Sequence, residues 1–138
     1  MKLDAQWITG FVDGEGCFHV GINPHREMTA GFQVLAEFTV VQHKRDVQVL
    51  QALKSYFGCG VVRVNHGERV AYRVRGQDDL RKNIIPFFIK HPLKTKKNVD
   101  FIKFRHVLEM MKAEVHLTAE GVEEIRSVAD QMNRGSSR

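Results

Sequence analysis

Cysteine is nearly absent: only Cys17 and Cys59 occur in 138 residues. Two thiols make neither a disulfide framework nor a four-ligand zinc site, so both are read as reduced, in an intracellular protein. No apolar run is long enough to cross a membrane. The opening Met1-Lys2-Leu3-Asp4 lacks the apolar region of a signal peptide. There is no phosphate-cradling glycine loop, nucleophile triad or haem motif, and His43, His66, His91, His106 and His116 share no metal-ligand spacing. Acid is the scarcer charge, with 16 Asp and Glu against 21 Lys and Arg, a net charge of +5. That balance suits a polyanionic partner. Hydrophobic residues make up 43%, enough for one domain with a real core. Residues 1–134 are read as that domain, and 135–138, Gly135-Ser136-Ser137-Arg138, as a disordered tail.

The most informative stretch runs from Trp7 to Phe18. Ile8, Phe11 and Val12 have the one-face spacing of a helix. Gly10 and Gly14 fall on one stripe of that helix, although each glycine costs about 1 kcal/mol against alanine in a helix interior. The usual compensation is another backbone lying against the stripe. The helix ends in Asp13-Gly14-Glu15-Gly16. Carboxylates at a helix C-terminus oppose its dipole, so a cation belongs there. For Asp-Gly alone, a cap and turn before a strand is the plain reading.

Phe18, Val20 and Ile22 then alternate with His19, Gly21 and Asn23, which predicts a strand with one dry face. Pro24 to Ala30 is a polar hairpin tip. Phe32, Val34, Ala36, Phe38 and Val40 mark the returning strand, alternating with Gln33, Leu35, Glu37, Thr39 and Val41. Val47, Leu50, Leu53 and Phe57 recur at helical spacing, stopped by Gly58 and Gly60. A second hairpin turns at His66-Gly67-Glu68. Val62 and Val64 lie on one face of its first strand, Arg63 and Asn65 on the other. Its second strand puts Val70, Tyr72 and Val74 on the dry face and Arg69, Arg73 and Arg75 on the wet one. Asp78-Asp79 opens a third helix that Pro86 bends or shortens. A basic loop, Lys94-Thr95-Lys96-Lys97, leads to a helix bearing Phe101, Phe104, Leu108 and Met111. Thr118 caps a last helix bearing Val122, Ile125, Ala129 and Met132. The predicted fold is α+β, in the order α-β-β-α-β-β-α-α-α. A four-stranded antiparallel sheet has helices on one face, and its other face is free to lie along DNA as a saddle. There Arg reads guanine and Asn or Gln reads adenine, while other cations neutralise phosphates. A solvated surface is the plain alternative for such a face.

Ile8-Thr9-Gly10-Phe11-Val12-Asp13-Gly14-Glu15-Gly16, followed by this order of elements, resembles the signature of the single-motif LAGLIDADG homing endonucleases. It departs at Ile8 and Thr9, which stand for Leu and Ala, and at Glu15, which stands for the second Asp. The resemblance implies a homodimer joined through Gly10, Phe11, Asp13 and Gly14, with two copies of the first helix about a twofold axis. It implies a metal held by Glu15 and the Gly14 carbonyl: Mg²⁺, with Mn²⁺ or Ca²⁺ able to replace it for binding. Gln42 matches a water-positioning glutamine, and Lys96 a lysine that stabilises charge, with Lys94 and Lys97 as alternatives. A basic residue that often follows the glutamine by four places is replaced by Asp46, leaving Lys44 or Arg45 as substitutes. By position, His19, Asn23, His25, Gln33 and Thr39 line the DNA face of the first hairpin, and Arg63, Asn65, Arg73 and Arg75 that of the second.

The implied activity is site-specific hydrolysis of both strands of a long pseudo-palindromic duplex, as in intron homing. An intron RNA maturase and a catalytically silent DNA-binding regulator are the alternatives, and intron RNA is a second possible partner. A membrane is not among the expected partners. A bacterial cytoplasm or an organelle, chloroplast or mitochondrion, suits such a protein.

Overall fold

A computed structural model describes residues 1–133; the predicted tail lies outside the described residues. Helix α1 spans Ala5–Glu15, with the Asp4 side chain accepting from the Trp7 N–H at 2.8 Å as its N-cap. Strands β1 (Gly16–Pro24) and β2 (Phe32–His43) form the first hairpin. A 3₁₀ turn, Lys44–Asp46, leads into α2 (Val47–Phe57), and β3 (Val61–His66) and β4 (Arg69–Val74) form the second hairpin. The four strands make one antiparallel sheet in the order β1-β2-β4-β3, with Thr39 opposite Arg73 and Val61 opposite Arg73 on its other side. After it come α3 (Gln77–Asp79), a π-helical turn (Leu80–Ile84) and α4 (Ile85–Lys90), which run on without a break. Then come α5 (Lys97–Lys112), a 3₁₀ turn (Val115–Leu117) and α6 (Ala119–Ala129). The expected α+β class and order are therefore present.

The described residues pack as two compact units, 1–17 with 37–98, and 18–36 with 99–133. In the first, α2 buries Leu50, Leu53 and Phe57 against β3 and β4. Phe38, Phe57, Tyr72, Phe87 and Phe88 form an aromatic cluster, with Phe57 and Phe87 5.2 Å apart edge to face. Tyr72 keeps its polar end satisfied by donating to the Cys59 carbonyl at 2.9 Å. Gly60 has φ +90, and a Cβ there would come within 2.6 Å of the Tyr72 ring, so only glycine fits. In the second unit, Phe18 sits against Phe101 and Phe104 of α5. Thr118 caps α6 by accepting from the Gly121 N–H at 3.0 Å. The buried Asp100 carboxylate accepts from the Asn133 N–H at 3.0 Å.

Two local features differ from simple periodicity. Pro86 has no N–H to donate, and the turn before it widens so that the Ile85 N–H reaches the Leu80 carbonyl. Strand β3 is an edge strand, and Val64 stays 72% exposed although alternation puts it with the apolar set.

Candidate active site

The site is built at the C-terminal end of α1, where Ile8 and Val12 anchor the helix in the core. Gly16 leaves the helix in extended geometry, φ −87 and ψ 166, and its N–H returns to the Val12 carbonyl. Glu15 is left exposed at that end. Gln42, near the end of β2, donates from Nε2 to Glu15 Oε1 at 3.0 Å and to the Val41 carbonyl at 2.9 Å. One amide thereby orients the carboxylate, while Glu15 keeps lone pairs to spare.

Asp13, two residues earlier, has a different task. It accepts from the Lys94 N–H at 2.7 Å, the Thr95 N–H at 3.1 Å and the Thr95 hydroxyl at 2.6 Å. Partial burial pushes its carboxyl up. The Thr95 hydroxyl, the two N–H groups and the Lys97 charge outweigh that and hold it below the ordinary aspartate value. Thr95 also accepts from the Lys97 N–H at 3.2 Å, and Lys97 Nζ donates to the Gly16 carbonyl. The cation that a helix C-terminus favours is supplied within the chain by this amine. Thr9 adds a further tie, its hydroxyl donating to the carbonyls of Ala5 at 3.0 Å and His91 at 3.4 Å. The segment carrying Lys94, Lys96 and Lys97 is therefore fixed to α1. Lys96 is exposed on it, whereas Lys97 is half-buried.

The donor set suits a hard cation. Among the described residues no three His, Cys, Asp or Glu side chains cluster as a metal cage. Glu15 and the Gly14 carbonyl, in a helix turn whose carbonyls lack intrahelical partners, are oxygen donors. Mg²⁺ accepts few protein ligands, completed by water and phosphate oxygens. Asp13 already accepts three hydrogen bonds from its loop. Of the basic residues near Asp46, Lys44 Nζ lies 3.6 Å from Glu68, which also meets His43 at 2.9 Å, and Arg45 lies 4.0 Å from Asp46.

In the first unit, Thr39, Arg63, Asn65, Arg73 and Arg75 lie on the side of the strands away from Phe38, Val40, Tyr72 and Val74. Arg73 reaches Asn65 Oδ1. In the second unit, His19, Asn23 and Gln33 are exposed on their strands, and His25 is half-buried at the hairpin tip, its Nδ1 accepting from the Glu27 N–H at 3.3 Å. On α1, a Cβ built on Gly10 or Gly14 would meet nothing within 4 Å. Among the described residues, no backbone that would justify this stripe lies against it. Trp7, 44% exposed, stacks on Phe11 beside the stripe at 4.8 Å.

Three residues escape a reading by spacing. Trp7 extends the apolar outer face of α1 at helical spacing from Gly10 and Gly14. Thr95 links Asp13 to Lys97, which only its position between two lysines hints at. Glu37 is an acid on β2 that meets Arg75, and its signal is its place next to Phe38, which pairs with Val74 of β4.

The sequence model described as LAGLIDADG endonuclease matches residues 8–108. A probable intron-encoded endonuclease 2 of Neurospora crassa is 33% identical over 138 residues, 99% of this chain and 30% of its own length. The crystal structure of the homing endonuclease I-TnaI superposes with a TM-score of 0.94 at 56% identity, over 98% of this chain and 91% of that one. Meganuclease I-SmaMI bound to uncleavable DNA gives 0.94 at 36%, over 99% of this chain and 47% of that one. I-SmaMI has also been crystallised on uncleaved DNA in the presence of calcium ions. The chain spans about a quarter to a third of the length of the first curated relatives it matches.

Proposed function

The chain belongs to the LAGLIDADG endonuclease family, and on that premise we propose that it is a site-specific DNA endonuclease that cuts both strands of a long pseudo-palindromic duplex as a homodimer with Mg²⁺. The observation that carries this reading is the Gln42–Glu15 hydrogen bond, which joins residues 27 apart in sequence at the end of the motif helix. A Mg²⁺ ion held by Glu15 and the Gly14 carbonyl would supply Lewis-acid stabilisation and an activated water. Gln42 holds the Glu15 carboxylate in one orientation. Asp13 and Thr95 fix the basic segment, so that Lys96 presents an ammonium to the charge developing on a phosphate.

Among the described residues, Glu15 is the carboxylate at this helix end that the 94–95 segment does not engage. A second chain would supply its equivalent, with the Trp7, Gly10, Phe11 and Gly14 face of α1 as the contact. A twofold dimer reads two equivalent half-sites, hence the pseudo-palindrome. Mn²⁺ or Ca²⁺ would support DNA binding in place of Mg²⁺.

The test is a Glu15→Gln variant on a duplex that the unmodified chain cuts. Retained gel-shift affinity with cleavage reduced by at least a hundredfold is expected. Cleavage at the unmodified rate would remove Glu15 from the chemistry.

A further inference from the structure

Glu37 is an acid held between Arg73 and Arg75 in the first unit. Its side chain is only 15% exposed, on the same side of β2 as Thr39. Oε1 accepts from the Thr39 hydroxyl at 2.6 Å, and Oε2 accepts from Arg75 Nε at 2.5 Å. Arg73 Nε lies 3.7 Å from Oε1, buried and without a hydrogen bond, while the other end of its guanidinium reaches Asn65. A carboxylate facing a polyanion repels it and lowers overall affinity. Its presence among the arginines needs a reason, and the geometry supplies one. Arginine reads a guanine edge only when its planar fork is aimed, and a free side chain loses rotamer entropy when it docks. A carboxylate that already holds two guanidiniums removes part of that loss. It also penalises indiscriminate approach of phosphate.

On the reading of the chain as a DNA endonuclease, we infer that Glu37 is a positioning residue for sequence specificity. It holds Arg73 and Arg75, through Thr39 and Asn65 as flanking partners, in the orientation that reads base edges rather than phosphates. Glu37 thereby trades non-specific affinity for discrimination at the base pairs beneath those two arginines.

The experiment profiles binding of the unmodified chain, Glu37→Gln, Glu37→Ala, Arg75→Ala and the Glu37→Ala/Arg75→Ala double variant on a library of singly substituted target duplexes at several salt concentrations. Thermal melting of each protein accompanies the profiles. Glu37→Ala should relax base preference about tenfold, at the base pairs beneath Arg73 and Arg75, those that Arg75→Ala relaxes among them, and nowhere else. Its non-specific binding should tighten, with a steeper salt dependence. Glu37→Gln, which keeps an acceptor and loses the charge, should fall between. The double variant should lose much less than the sum of the singles. An unchanged base profile in Glu37→Ala, or additive losses, would overturn the inference even if the unmodified chain is a specific DNA binder. A uniform loss across all positions tracking a lowered melting temperature would equally overturn it in favour of a structural role. If the unmodified chain shows no base preference, the DNA reading fails first and this inference with it.

Discussion

Two carboxylates two residues apart, Asp13 and Glu15, receive opposite treatment from their surroundings. Asp13 takes three donors from the 94–95 segment, and Glu15 takes one from Gln42. Replacing Asp13 with Ala strands those donors, and with the site half open to water a loss of about 1–2 kcal/mol in urea unfolding is expected. The folded-state pKa of Asp13 is depressed. Its stabilisation is therefore fully present above the ordinary aspartate value near 4 and is lost as pH falls through the lower folded value. Melting curves of Asp13→Asn against pH should show a flatter acid limb than the unmodified protein, and parallel limbs would contradict the assignment. The lysines separate in the same way. Lys97→Met, which releases the Gly16 carbonyl, should lower the melting temperature. Lys96→Met should lower cleavage with DNA affinity kept, and full activity there would point to a neighbouring lysine. Arg73→Ala should weaken specific binding by about 1–3 kcal/mol, read from a gel-shift series.

Among the elements, the ones with long, regular apolar periods were legible in the sequence. The 50–53–57 and 101–104–108–111 patterns became the buried faces of α2 and α5. Strand alternation gave β2 and β4 as well, because those strands are central and must be dry on one side. β3 was legible as a strand but not in its burial, since edge position depends on strand order, which no local pattern encodes. The π turn before Pro86 was foreshadowed only as a bend. Within the candidate site, the motif carries Glu15, and the family resemblance pointed to Gln42 and Lys96. The Asp13–Thr95–Lys97 relay and the Glu37 cluster join residues far apart in sequence, and only the folded register brings them together. Helix α1 gives a prediction at its own scale. Among the described residues nothing lies within 4 Å of a Cβ built on Gly10. In a monomer, Gly10→Ala would therefore gain about 1 kcal/mol from helix propensity alone. If the stripe is a dimer contact, the added methyl should instead weaken association at least tenfold in sedimentation equilibrium. A more stable protein with unchanged association would reject the stripe as an interface.

At the scale of the whole molecule, the endonuclease reading predicts that a net charge of +5 and the arginines of the second hairpin should make affinity for DNA strongly salt-dependent, with a slope of about −0.9 per phosphate neutralised. No helix among the described residues is long and apolar enough to cross a membrane. The most direct measurement is selection of cleaved sites from a randomised duplex pool, in Mg²⁺ and in EDTA. Metal-dependent cutting at a single long pseudo-palindrome is the predicted result. Specific binding without cutting would contradict the endonuclease reading, and neither binding nor cutting would contradict DNA recognition itself.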